Sequence, residues 1–141
     1  MKYTLLILSA LMFLFYSCSK KEDVKLTAFS SEAFAYNMGD SSEVDATTRV
    51  KGFKQEEKKD GYYATLAYDV DLITPKGDTV KSIISKVVDK IHKEKMTDTQ
   101  LEAQFDIDST YKNGNYKVLF RIKDALSGKT TTSVSNFSLG N

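Results

Sequence analysis

The chain has almost no cysteine or histidine and no tryptophan: one Cys and one His among 141 residues. Each scarcity excludes something. A lone Cys18 has no partner for a disulfide within the chain. Paired Cys and His ligands for zinc are missing, and so is a glycine-rich phosphate loop. A serine or cysteine hydrolase needs a nucleophile beside a positioned histidine, and His92 lies in a basic stretch, Lys90 to Lys95, that reads as solvated. No catalytic residue, cofactor or metal site is expected, and the chain reads as a non-enzyme. Charge of one sign is also lacking, with 20 Lys and Arg against 19 Asp and Glu. Phosphate backbones are bound by a concentrated basic excess, so nucleic acid is not an expected partner.

What is present begins at the N-terminus. Met1 and Lys2 form a short basic start, Leu5 to Tyr16 is almost wholly apolar, and small Ser17 precedes Cys18. This is the layout of a secretory signal peptide. A permanent span needs about 20 apolar residues, and this run is shorter and is followed at once by polar Ser19 to Asp23. Cleavage before Cys18 would leave 124 residues with 19 basic and 19 acidic side chains.

The one cysteine therefore stands at the expected cleavage point. Phe15, Tyr16, Ser17 and Cys18 resemble the lipobox of bacterial lipoproteins, in its looser Bacteroidota form, where the cysteine receives a diacylglycerol. The resemblance implies a signal peptide over 1–17, a lipidated Cys18 with a polar tether over 18–25, and a folded domain over 26–141. The membrane is then a partner through the anchor, on the outer membrane at its periplasmic face or the cell surface. Lys21, Glu22 and Asp23 are similar to the Lys followed by two acids that serves as a lipoprotein export signal in some Bacteroidota.

From Leu26 onward apolar and polar residues alternate, which is the period of a half-buried strand. Ala64, Leu66, Tyr68, Val70 and Leu72 fall on one face with Tyr62, which is expected in the core. Leu101, Ala103, Phe105 and Ile107 repeat the pattern, as do Tyr116, Val118, Phe120 and Ile122. Turn residues punctuate these runs at Asp60-Gly61, Pro75 to Asp78, Asn113 to Asn115 and Ser127 to Lys129. Seven strands follow, over about 26–36, 46–54, 62–73, 80–91, 100–108, 115–123 and 130–139. In residues 80–91, Val80, Ile83, Ile84, Val87, Val88 and Ile91 also fit helical spacing. All six are β-branched, so a bulged strand is expected.

Seven short strands with regular turns suggest an all-β, two-sheet sandwich. Asn113 to Asp124 resembles the sixth strand of immunoglobulin-like and fibronectin-type domains, where Gly-x-Tyr places a corner tyrosine, here Tyr116. Val118 stands where antibody domains have cysteine. Asp124, Ser127, Gly128, Lys129 and Phe137 resemble the closing motif of exported bacterial Ig-like modules.

Acidic pairs Asp69 with Asp71, and Asp106 with Asp108, each share one strand face and read as solvated. Lys54 to Asp60 reads as a solvated hairpin loop. Tyr63 and Tyr111 are the outward tyrosines near strand ends and are the expected contact residues. The function expected is binding or scaffolding in the envelope, most simply as an accessory subunit docked on a protein partner of an outer-membrane complex. The alternative is a surface module recognising a glycan or an external protein, and a small hydrolase is the remotest reading.

Overall fold

Alternating apolar and polar side chains become antiparallel strands, and no helix forms among the described residues, 23–140 of the computed structural model. The strands are β1 (Thr27–Asn37), β2 (Ser41–Lys51), β3 (Glu56–Lys58), β4 (Gly61–Ile73), β5 (Thr79–His92), β6 (Asp98–Asp108), β7 (Gly114–Asp124) and β8 (Thr130–Leu139). One sheet has the order β1-β2-β6. In the other, β5 runs along one edge of β4 while β3 and β7 share its opposite edge, and β8 pairs with β7. The two form the expected Ig-like sandwich, with eight strands in place of about seven. Cys18, Lys21 and Glu22 lie outside the described residues.

The differences in boundaries have local causes. The second strand starts at Ser41, five residues earlier than expected, because Met38 to Asp40 make a tight turn. Asn37 Oδ1 accepts from Gly39 N–H at 2.8 Å and Met38 N–H donates to Ser41 O at 2.9 Å. That strand stops at Lys51 because Gly52, at φ +79°, passes so close to the incoming chain that a Cβ would sit 2.2 Å from Lys25 O. The expected loop from Lys54 to Asp60 holds the extra strand β3, whose three residues are exposed and pair with Gly61 to Tyr63.

Residues 79–92 form a strand, and it is bulged. The register shifts opposite Asp71, and Ser82 takes a left-handed φ of +50°. Ser82 N–H there donates to Asp71 Oδ1 at 2.8 Å. Asp71 is therefore no solvated acid, unlike exposed Asp106 and Asp108. It is buried, and Arg121 grips it with two bonds of 2.9 and 3.0 Å.

The core lies between the sheets. Val44, Val50, Leu101 and Ile107 from one face Leu66, Val70, Leu72, Val118, Phe120 and Ile122 from the other. Ala33, Ala46 and Ala103 stand side by side across β1, β2 and β6. These small side chains leave room for large ones opposite, and the Tyr68 hydroxyl reaches across to donate to Glu102 O at 2.7 Å. Tyr62 is only half-buried and lies outside the core, because it sits at the mouth of the sandwich opposite Glu57 and exposed His92.

Both Ig-like features of the last two strands are built. Tyr116 is buried, stacks on Phe137 at 5.4 Å, and donates its hydroxyl to Lys112 O at 2.6 Å. Asp124 is fully buried and accepts from the backbone N–H groups of Lys54 at 2.8 Å and Leu126 at 3.0 Å, and from the Ser127 hydroxyl. That carboxylate joins the β7–β8 turn to the chain leaving β2.

Candidate binding surfaces

The strand directions define two ends. One end, called the tether end after the tether expected over 18–25, holds residues 23–26, the β2–β4 connection, the β5–β6 loop and the β7–β8 turn. The far end holds the β1–β2, β4–β5 and β6–β7 turns and the end of β8. Asp23 is exposed at the tether end, where Lys129 Nζ pairs with its carboxylate and also donates to Val24 O at 2.6 Å.

Tyr63 and Tyr111, the two expected contact residues, stand at opposite ends. Tyr63 is half-buried on the outer face near the start of β4, beside Ile91, with Lys58 Nζ 4.6 Å from its ring centre. Tyr111 follows β6 and packs on the core, 6.4 Å from Tyr116 between ring centres. Ten residue steps along the strand from Tyr63 to Ile73 span ~33 Å, so the two rings cannot share one ligand of ordinary size.

Tyr111 lies between two open pockets at the far end. One, of about 240 Å³, is lined by polar groups including Asn37, Asp40, Ser41, Asp108 and Asn113. The other, of about 310 Å³, is lined by Pro75, Lys76, Lys112 and Tyr116. The hydroxyl and N–H of Thr110 both donate to Asp108 and hold its carboxyl below the usual carboxylate range. His92 is at the tether end, where its Nδ1 accepts from Glu94 N–H at 3.2 Å. Ser109 in the first pocket is thus a strand length from the sole imidazole, and the two do not assemble a nucleophile and base. Among the described residues no three His, Cys, Asp or Glu cluster to hold a metal ion.

Sequence reasoning missed a third surface. Phe34, Tyr36 and Met38 are 54%, 50% and 64% exposed, on alternate positions along β1 and into its turn. The signal is visible in FAYNM, where two aromatic residues alternate with Ala33 and Ala35. Ordinary hydrophobic patterning would turn the aromatics inward. The alanine layer across β1, β2 and β6 turns them outward instead.

No protein-family model matches the chain, and no curated protein matches it. Several solved structures are distantly similar, and three of them illustrate the range. The structural-genomics target SoR45 is 12% identical, covering 84% of this chain and 88% of that one at a TM-score of 0.44. The N-terminal domain of PorA is 11% identical, covering 81% and 96% at 0.44. A family 123 glycoside hydrolase from Clostridium perfringens is 13% identical over 70% of this chain and 21% of its own, at 0.39. At such scores the likenesses add nothing to a fold that rests on the strand pairing itself.

Proposed function

We propose that this protein is a lipid-anchored binding module of the bacterial outer membrane, attached through Cys18, and an accessory subunit of an envelope complex. The observation that carries the docking role is the exposed row of Phe34, Tyr36 and Met38 on β1. Large apolar side chains held in line toward water are the material of protein interfaces. Phe34 lies beside Asp45 and Tyr36 beside Glu43 on the neighbouring strand, so the apolar row is bordered by charge as interface centres are. The five residue steps from Cys18 to Asp23 span at most ~17 Å, which keeps the domain close to the bilayer and to partners embedded in it.

Gentle cross-linking of the lipidated protein in its native membranes tests the role. One stoichiometric membrane protein is expected, and Phe34→Ser with Tyr36→Ser should lose it while strand content and melting stay unchanged. Recovery of the protein alone would sink the subunit reading. Cys18→Ala should move the protein from the membrane fraction to the soluble one, and retention on the membrane would refute the anchor. The polar pocket beside Tyr111 favours the second reading, recognition of a glycan or external protein at the far end. Glycan binding abolished by Tyr111→Ala would decide for it.

A further inference from the structure

The chain as a whole is almost neutral, yet folding sorts its charge by end. The tether end, taken as residues 23–26, 49–62, 89–98 and 123–130, carries eleven Lys and Arg against eight Asp and Glu. The rest of the described residues carry six against ten. At the surface the basic excess of the tether end is larger than this count. Asp124 is buried and engaged by Lys54 N–H, Leu126 N–H and Ser127, so its charge does not face water. Asp98 is paired with Arg49, and Asp23 with Lys129. Lys25, Lys54, Lys59, Lys93 and Lys95 are all exposed, and among the described residues none has a carboxylate within ion-pair distance.

We propose that this end of the sandwich seats on the anionic phosphate headgroups of the membrane that carries the protein. The inference rests on the reading of Cys18 as the lipidated residue. The described chain begins at Asp23, at the basic end, beside Lys129, and five residue steps to Cys18 allow that end to lie at most ~17 Å from the anchor. A reach of that length lets these lysines approach to within the ~10 Å over which surface charge acts at 0.1 M salt. Apolar groups at the same end suit a headgroup layer: Val24 and Ile91 are exposed, and Lys58 lies over the ring of Tyr63. The acidic far end is repelled by the same surface, so attraction and repulsion turn the domain the same way. The sandwich then stands on its tether end, with Tyr111 and its pockets directed away from the bilayer.

Lysine acylation of the lipidated full-length protein tests this, in vesicles of phosphatidylcholine with and without phosphatidylglycerol. In anionic vesicles Lys54, Lys59, Lys93 and Lys95 should react about threefold or more slowly, while Lys76, Lys112 and Lys117 at the other end keep their rates. The protection should vanish in 1 M salt, where the screening length falls to ~3 Å. The variant Lys59→Glu, Lys93→Glu, Lys95→Glu should float with the vesicles as before and lose protection at Lys54. Equal rates in both vesicles, with the protein still floating, would overturn the inference and leave the anchor standing. A protein that floats with neither vesicle would refute the anchor and take this inference with it.

Discussion

Two buried polar side chains, Asp71 and Ser135, carry opposite consequences for stability. Asp71 is buried and fully engaged, by Arg121 and by Ser82 N–H. Replacing it with Asn removes the charge that Arg121 neutralises and should cost about 2 kcal/mol in urea unfolding. A loss under half of that would mean that solvent already supports Arg121, whose side chain is 41% exposed. Ser135 is buried on β8, and its hydroxyl has no hydrogen-bond partner among the described residues. Ser135→Ala removes an unsatisfied group at small cost in volume, so stability should rise by about 1 kcal/mol. A fall would show that the hydroxyl has a partner such as a bound water.

At the scale of elements, the sandwich depends on close approaches that only a missing side chain permits. Gly61 starts β4 at φ +143°, and a Cβ there would lie 2.3 Å from His92 O, at the end of β5. Gly61→Ala should destabilise by about 2–3 kcal/mol, with the loss of order concentrated where β3, β4 and β5 meet. Amide exchange would locate it, and an unchanged rate at Tyr62 and Ile91 would contradict the prediction. The bulge on β5 was legible in its β-branched run, which argued for a strand that also had helical spacing. What it is for was not legible. The shift at Ser82 brings a backbone N–H to a carboxylate on β4 that Arg121 reaches from β7, a meeting of three strands that no local pattern encodes.

For the whole molecule, titrating groups bound the range of stability. Arg121 beside Asp71 holds its carboxyl below the usual value of 3.8, so this stabilisation is complete above about pH 4–5. It is lost as pH falls through the lower native value. Burial pushes the Tyr68 and Tyr116 hydroxyls above their usual value of 10.0. Their contribution is complete below about pH 10 and is lost as pH rises through the native values. Thermal melting should therefore form a plateau from about pH 5 to 9 with a loss on each side. Tyr116→Phe should lower the plateau by about 1 kcal/mol, through the lost bond to Lys112 O, and should make the alkaline loss shallower. An unchanged alkaline limb in that variant would remove Tyr116 from its causes.

The sequence by itself determined what depends on neighbours along the chain. Period-two alternation and turn residues specify strands and their inward faces, and Gly114-x-Tyr116 with Asp124 to Lys129 specifies how the last strands are tied. Cys18 and its apolar leader set the expected route to the membrane in the same local way. The tertiary structure decided what depends on which strands meet. It buried Asp71 against Arg121, turned Phe34 and Tyr36 outward over an alanine layer, and placed Tyr63 and Tyr111 at opposite ends. It also gathered lysines from four separate segments at the end where Asp23 stands. Strand pairing brings together residues far apart in the chain, and charge summed along a sequence carries no record of where folding will put it.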